Sequence, residues 1–309
     1  MSTKPFRGWY ADIMLLAVTA IWGGTFVTVQ EAVAAYPVMT FLAIRFTLAT
    51  MVFLPLLLRS GSGARQSQSS RRVLWPSLLI GATLFAGYAF QTYGLRFTTP
   101  AKAGFITGIS VVLVPLGSAI FLRRSPHAGA RLGVILATVG LAMLTLNGDL
   151  SVAPGDLLML GCAISFAAQI LLVGRFAPRL DTVALTVGQI AGVAILSWLA
   201  ALVVDGPPAW PSRQVWFAAA FTGVMATSFA FWAQTMAQRL TSPTHTALIF
   251  ATEPVFAAIF SFLFIGEQLL PRAILGCGLI LAGMLVSESG SWARRRGRQV
   301  TSVVPVAPD

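Results

Sequence analysis

Two charged side chains lie inside apolar stretches of the sequence. Glu253 stands directly before Pro254 in ALIFATEPVFAAIF, and Arg45 lies in FLAIRFTLA. A carboxylate inside a membrane usually faces a cavity or a partner. Three roles are open for Glu253: a proton-titrating group, a counter-charge to a cationic ligand, or a structural ion pair or hydrogen bond. Arg45 is its natural candidate partner. Alternatively, the long side chain of Arg45 extends to the outer surface of the bilayer.

Two further cations occupy the first turns of helices that begin with proline. Lys102 follows Pro100, and His245 follows Pro243. A cation in a first turn opposes the helix dipole, so its position needs another reason. Lys102 and His245 are therefore candidates for contact with an anion or carboxylate at opposite mouths of a pathway. The alternative is that both are ordinary interfacial residues.

Internal prolines predict breaks in two of these apolar segments. Pro115 and Pro254 each remove one N–H and crowd the carbonyl four residues back, at Val111 and Phe250. A carbonyl freed in lipid needs a partner, so such a segment should face protein or a water-filled cavity. We therefore predict helix breaks at Pro115 and Pro254, with a mere structural kink as the alternative.

Amide and aromatic side chains are scattered through the same apolar segments. Together they suit a cavity for a neutral, zwitterionic or amphipathic organic molecule. Taken singly, most of the aromatic residues could equally face lipid or the protein core. The amides are Gln91, Gln169, Gln189 and Gln234, and the aromatic residues are Trp22, Phe26, Tyr88, Tyr93, Phe166 and Trp232.

The composition places these residues in a bilayer. The chain has 309 residues, of which 56% are hydrophobic and 10% charged, and its mean hydropathy is +0.80. Soluble proteins carry about 25% charged residues, and about 20 apolar residues cross the hydrocarbon core as a helix. We predict an all-α polytopic membrane protein with ten spans. They cover 11–30, 38–58, 73–93, 101–122, 131–146, 155–174, 182–204, 215–236, 244–265 and 271–288.

The positive charges predict the orientation. If the N-terminus is cytoplasmic, 16 of the 21 Lys and Arg residues lie on the cytoplasmic side and four on the other, with Arg45 inside a span. This asymmetry follows the positive-inside rule and predicts that both termini are cytoplasmic. The net charge of +11 is therefore a topology signal and does not indicate nucleic-acid binding. The run at 294–298 is read as a topology anchor, with anionic lipid as an alternative partner.

The chain also repeats itself. Residues 96–144 align without a gap with residues 239–287, and the matches include Thr98 with Thr241, Pro100 with Pro243, Gly133 with Gly276 and Gly140 with Gly283. Five spans per half is an odd number, so the second half starts on the opposite side of the membrane. We predict inverted five-helix repeats over 1–146 and 155–288, followed by a basic cytoplasmic tail over 289–309. The symmetry breaks where Ser110 stands opposite Glu253, where Lys102 stands opposite His245, and at the prolines, which are four residues out of register.

Small residues mark the last span of each half. Gly133 and Gly140 are seven residues apart, as are Gly276 and Gly283. This spacing places both glycines of a span near one helix face, where a neighbouring helix can approach closely. We predict a packing role, either in a helix pair at the far end of each half or in a homodimer contact.

These features resemble the drug/metabolite transporter (DMT) superfamily and, within it, the EamA-type exporters and permeases. The likeness covers residues from about 10 to 290. It rests on Trp22-Gly23 with Phe26, Arg45-Phe46, the segment from Thr98 to Phe105, Ala247-Leu248-Ile249, Glu253-Pro254-Val255 and Gly266-Glu267. The resemblance implies a ten-helix inverted repeat that exports small organic solutes such as metabolites, amino acids or drugs across the bacterial inner membrane. It also implies a central cavity formed by spans 1–4 and 6–9.

Other functions are less favoured by the residues. A membrane enzyme needs a catalytic constellation, but the sequence has only His127 and His245, no phosphate loop and no metal or paired-Cys motif. Cys162 and Cys277 are read as free apolar thiols. We therefore predict a permease without a cofactor, with a small organic solute, the bilayer and protons as candidate partners. The alternatives are an uptake permease, a subunit of the same fold without transport activity, and a channel.

Overall fold

Helices form the regular secondary structure in the described part of the chain. The computed structural model describes residues 6–59, 64–98, 100–123, 125–145, 154–207, 210–260, 262–263, 266 and 270–300, and it leaves out the side chains of 6–8, 26–27, 57–59, 64–71, 100–102 and 288–300. Because the chain is long and apolar, helices satisfy its backbone hydrogen bonds within each segment, as a bilayer requires.

The helices follow one another with short connections. A π-helix over Thr222–Phe229 connects the two α-helices on either side of it. The α-helices in this part of the chain are α1 (Phe6–Ala35), α2 (Val38–Val52), α3 (Leu54–Arg59), α4 (Ala64–Gly94), α5 (Pro100–Gly108), α6 (Ser110–Phe121), α7 (Ala128–Thr145), α8 (Pro154–Phe176), α9 (Thr182–Val204), α10 (Arg213–Phe221), α11 (Ala230–Ala237), α12 (Pro243–Phe250), α13 (Glu253–Phe260) and α14 (Pro271–Val300).

Seven apolar segments in the described ranges are long enough to cross a bilayer by length and composition. They match the second to eighth predicted spans. The first predicted span corresponds to a pair bent by 43°, Trp9–Thr25 and Thr28–Ala35, and the tenth to the shorter apolar helix Pro271–Ser287. The ninth is divided between α12 and α13. The regular structure of the described residues is thus helical throughout, and these helices indicate a multi-pass membrane protein. The number of ten spans stays a prediction.

The two interrupted segments break at equivalent positions. Ile109 separates α5 from α6, and its N–H donates to the Ile106 carbonyl at 3.1 Å. The Thr252 N–H, between α12 and α13, donates to the Ile249 carbonyl at 2.9 Å. An offset of 143 residues relates both donors and both acceptors. Each bond spans three residues, so both breaks contain a tight turn.

The predicted position of the first break is wrong. Pro115 lies inside α6, six residues after the break at Ile109. One missing N–H in an otherwise apolar helix is tolerated there, whereas the tight turn follows Gly108, a poor helix former. Pro254 differs, because it is the second residue of α13 and Phe250 is the last residue of α12. A proline in the first turn loses no helical hydrogen bond.

The paired glycines join α7 to α14. A Cβ added to Gly133 would lie 2.5 Å from the Gly283 carbonyl oxygen, and one added to Gly140 would lie 2.5 Å from the Gly276 oxygen. The two backbones are therefore in direct contact along one face of each helix. Of the two predicted packing roles, the structure shows a helix pair within the chain.

Candidate functional site

A cavity of about 140 Å³ lies between the interrupted helices. An engineered cavity of about 150 Å³ in another protein holds benzene, so this space admits a small organic molecule. Aromatic and aliphatic side chains form most of its wall. The lining residues are Trp22, Thr25, Val29, Arg45, Leu84, Tyr88, Gln91, Thr92, Leu95, Ala103, Gly104, Thr107, Gly108, Ser110, Phe166, Gln169, Ile170, Phe231, Phe250, Ala251, Glu253 and Pro254.

Arg45 is held in the wall by neutral groups. It is 3% exposed, and its Nε donates to Thr227 Oγ1 at 2.9 Å. Its Cζ lies 5.0 Å from the ring centroid of Tyr88. Such a cation–π contact offsets part of the cost of removing a guanidinium from water.

The π-helix positions the partner of Arg45. Its extra residue per turn lets Thr227 Oγ1 donate to the Thr222 carbonyl at 3.0 Å while it accepts from Arg45. Gly223 allows close approach, because a Cβ there would lie 2.9 Å from the Arg45 carbonyl oxygen. π-Helical turns occur often at functional sites.

Glu253 stands at the start of α13, directly after the break. The helix dipole favours a negative charge at this position. A Cβ on Gly23 would lie 2.8 Å from the Glu253 carbonyl oxygen, so only glycine lets α1 pass this close. Ser110, its counterpart in the repeat, is likewise the first residue of α6 and also lines the cavity.

The expected pair between Arg45 and Glu253 does not form in this structure. Both side chains line the cavity, yet the described residues include no ion pair of 4.0 Å or less between them. The geometry therefore presents two separate ionisable groups to one space. The predicted pairing is wrong because Arg45 takes Thr227 and the Tyr88 ring as its neighbours instead.

Aromatic rings form the side of the cavity next to these groups. The Trp22 centroid lies 5.0 Å from that of Phe250, and the Tyr88 centroid 5.4 Å from that of Phe166. The indole Nε1 of Trp22 donates to the Ala226 carbonyl of the π-helix at 2.9 Å, which fixes the ring. Edge-to-face aromatic contacts of this kind stabilise a defined wall.

Hydrogen bonds connect four buried amides on the side of Gln169 away from the cavity. We call this group the amide ladder, and its members are Gln169, Gln189, Gln234 and Gln238. Gln234 Nε2 donates to Gln169 Oε1 at 3.0 Å and to Gln238 Oε1 at 3.1 Å. Gln169 Nε2 donates to Gln189 Oε1 at 3.1 Å, and Gln189 Nε2 donates to Thr235 Oγ1 at 3.1 Å. Buried amides bonded in series fix one another's orientation. The ladder thus sets which way the Gln169 amide faces.

The structure places the predicted site residues in different surroundings. Trp22, Arg45, Gln91, Gln169, Glu253 and Pro254 line the cavity. Gln234 belongs to the ladder, Trp232 packs against apolar clusters, and His245 Nε2 lies 2.9 Å from Asp12 Oδ1. Pro115 is buried in α6, outside the cavity lining. The side chains of Phe26 and Lys102 lie outside the described residues.

Several lining residues escaped the sequence analysis. Thr25, Thr92, Thr107 and Gly104 all face the cavity. Hydroxyls and glycines in apolar segments are common packing residues, so their type alone gives no signal. Only their place on one face of a folded helix marks them.

The described residues offer no set of three or more His, Cys, Asp or Glu side chains that could hold a metal ion. Cys162 is buried, and its Sγ lies 3.9 Å from Thr107 Oγ1. The site provides a largely apolar space, lined by aromatic rings, with a guanidinium, a carboxylate and amides in its wall. This arrangement can bind a small organic molecule.

The helices and the cavity define a multi-pass membrane protein with an internal cavity. The EamA-like transporter family model matches residues 9–146 and 153–288. The chain belongs to this family, which is part of the DMT superfamily. The family indicates a membrane transporter rather than an enzyme.

Relatives extend over most of the chain. An uncharacterized transporter of Archaeoglobus fulgidus is 32% identical over 278 residues, covering 90% of this chain and 85% of its own. The inner membrane transporter YedA of Escherichia coli K12, also uncharacterized, is 25% identical and covers 90% of each chain. A protein of known crystal structure aligns with a TM-score of 0.75 and 23% identity over 92% of this chain and 98% of its own, which shows the shared fold.

Proposed function

We propose that this protein is a secondary transporter that exports a small organic solute through the central cavity by alternating access. The observation that carries the proposal is the position of the cavity at the two helix breaks, with lining residues from both halves of the sequence. Broken helices that meet at one site are typical of secondary transporters. Metabolites, amino acids and amphipathic drugs are the candidate solutes.

Contacts between the halves support the inverted repeat. The helix α4 packs against α8 and α9, while its counterpart, α10 to α11, packs against α1 and α2. Likewise α5 and α6 contact α8, as α12 and α13 contact α1. Exchange of the two halves turns each contact into another observed contact, as a two-fold axis requires.

The glycine contacts obey the same exchange. Gly133 faces Gly283 and Gly140 faces Gly276, and the repeat offset converts the first pair into the second. Such an axis lets the halves rock about a fixed central site and open it to each side in turn. The unit boundaries 1–146 and 155–288 fit this motion.

The charge distribution supports an orientation with both termini in the cytoplasm, and the location that we propose from the family resemblance is the bacterial inner membrane. The asymmetry of Lys and Arg across the predicted spans is the evidence for the orientation. In this orientation the contact between His245 and Asp12 lies at the cytoplasmic end, where α12 begins.

Glu253 is the candidate coupling residue. It is a titratable group in the cavity wall, and no described residue pairs with its carboxylate within 4.0 Å. A carboxylate in this position can exchange a proton with whichever side the cavity opens to. Because Ser110 occupies the equivalent place, coupling would rest on the second half of the chain alone.

Purified protein in liposomes tests the function. We expect one or more solutes from a panel of amino acids, related metabolites and amphipathic amines to cross faster than in protein-free liposomes. A pH gradient should change that flux if protons are coupled. Oppositely directed solute gradients distinguish an exporter from an uptake permease. Absence of flux for every solute would contradict the proposal.

A further inference from the structure

We infer that Arg45 is the anion-recognition residue of the cavity, and that the solute carries a carboxylate on a small apolar body. This inference rests on the proposed function and deepens it by naming a substrate class. It concerns binding, so it can be tested separately from transport.

Arg45 has no charged partner among the described residues. The guanidinium is 3% exposed and its two neighbours, Thr227 and Tyr88, are neutral. No carboxylate of the described residues lies within 4.0 Å of it. A buried cation without a charge partner is costly, and neutral hydrogen bonds compensate only part of that cost.

The guanidinium of Arg45 can contact a molecule in the cavity. Arg45 lines the cavity, although only a small part of its surface is exposed there. The bond from Nε to Thr227 fixes one edge of the guanidinium. A guanidinium presents paired N–H donors that match the two oxygens of a carboxylate. A bound carboxylate would therefore supply the missing counter-charge.

The remaining wall of the cavity determines which kind of molecule can carry the carboxylate. Trp22, Phe166, Phe231 and Phe250 line the same cavity, whose volume is about 140 Å³. Rings and aliphatic walls suit an apolar body of roughly the size of benzene. The volume and the apolar wall together favour a small anion with an apolar body over a large or highly hydrated one.

The position of Arg45 is built by the fold. Thr227 is presented by a π-helix, and Gly223 brings that helix against the Arg45 backbone. A purely structural arginine would be expected to pair with a carboxylate of the fold. Here the fold supplies a hydroxyl and a ring, and leaves the negative charge to the ligand.

Matched probes test the inference. Benzoate and benzamide have almost the same shape and differ in charge, and benzylamine reverses that charge. Titration calorimetry on purified protein in nanodiscs should show benzoate binding about tenfold or more tightly than benzamide, with benzylamine weakest. Equal affinity for benzoate and benzamide, or no binding of benzoate, would overturn the inference.

Variants assign the preference to Arg45. Arg45→Gln should reduce the ratio of benzoate to benzamide affinity to about twofold or less, while Arg96→Gln should leave it unchanged. Arg96 is a matched control because it donates to the Val33 carbonyl and does not line the cavity. A folded Arg45→Gln protein that keeps the full preference would refute the assignment.

The affinities of the wild-type protein for benzoate and benzamide can be compared without any variant. This comparison tests the preference for a carboxylate even if Arg45→Gln fails to fold. Thr227→Val gives a milder change: benzoate affinity should fall about threefold while benzamide affinity stays constant, and an unchanged benzoate affinity counts against the inference. Selective benzoate binding without any flux in liposomes would leave this inference standing and reject the transport proposal.

Discussion

Arg45 and Glu253 face one cavity from α2 and α13 without forming an ion pair with each other. Two opposite ionisable groups in an apolar space would normally neutralise one another. Other features of the fold keep them apart. Arg45 donates a hydrogen bond to Thr227, and Glu253 is the first residue of α13. This separation allows the two proposed roles, anion recognition at Arg45 and proton exchange at Glu253, to belong to different side chains.

Substitution of Glu253 tests its proposed role in proton exchange. In Glu253→Gln the side chain keeps its size but cannot titrate. We expect flux driven by a pH gradient to fall by about tenfold or more, while exchange of labelled for unlabelled solute without a gradient continues. Flux assays in liposomes between pH 5 and pH 8 measure this. Unchanged transport with unchanged pH dependence would remove Glu253 from the coupling mechanism.

The contact between α7 and α14 predicts a position-specific effect of adding one methyl group. In Gly276→Ala the new carbon would lie 2.6 Å from the Gly140 oxygen, so the helices must separate. We expect a loss of about 1–3 kcal/mol in stability and a lower unfolding temperature.

Gly278→Ala is the matched control on the same helix. A Cβ there meets nothing within 4 Å, and alanine favours a helix by about 1 kcal/mol over glycine. Its unfolding temperature should equal or exceed that of the wild type. Equal effects of the two substitutions would show that the close glycine contact does not form.

The amide ladder predicts a cost for removing its central donor. Gln234→Met takes hydrogen bonds from Gln169 and Gln238 and leaves their oxygens buried without that donor. Each loss should cost about 1–3 kcal/mol. Thermal unfolding in detergent measures the change, with Gln214→Met as the control because that amide is exposed. If both variants unfold at the same temperature, the ladder is not formed.

The contact between His245 and Asp12 predicts a coupling between α12 and α1. His245 Nε2 lies 2.9 Å from Asp12 Oδ1. A double-mutant cycle with His245→Ala and Asp12→Ala should give a coupling energy of about 0.2–1 kcal/mol in unfolding experiments. Additive effects of the two substitutions would show that the contact contributes nothing to stability.

Much of the site could be predicted from residue type. Glu253, Arg45 and the amides are rare in apolar segments, and Pro254 marks a helix break. These signals depend on local chemistry, which a sequence displays directly. Trp22, Gln91 and Gln169 also line the cavity, and their role in binding stays a prediction.

The remainder depends on tertiary contacts. Pro115 predicted a break that lies instead at Ile109, because a helix can tolerate one missing N–H. The π-helix at Thr222–Phe229 has no distinctive local sequence, yet it supplies Thr227 to Arg45. Pairing of Arg45 with a hydroxyl in place of Glu253 follows from which faces meet, and residue spacing does not determine that.

Solute flux through a blocked cavity tests the central claim most directly. Gly104 lines the cavity, and a Cβ added there meets nothing within 4 Å, so a side chain can start there and Gly104→Phe should fill the space. Gly278→Phe places the same side chain on an exposed face of α14 and serves as the control. With the panel solute of highest wild-type flux, we expect Gly104→Phe to lose about 90% or more of the flux in liposomes, and Gly278→Phe to retain it. Wild-type flux in a folded Gly104→Phe protein would contradict the claim that the solute crosses through this cavity.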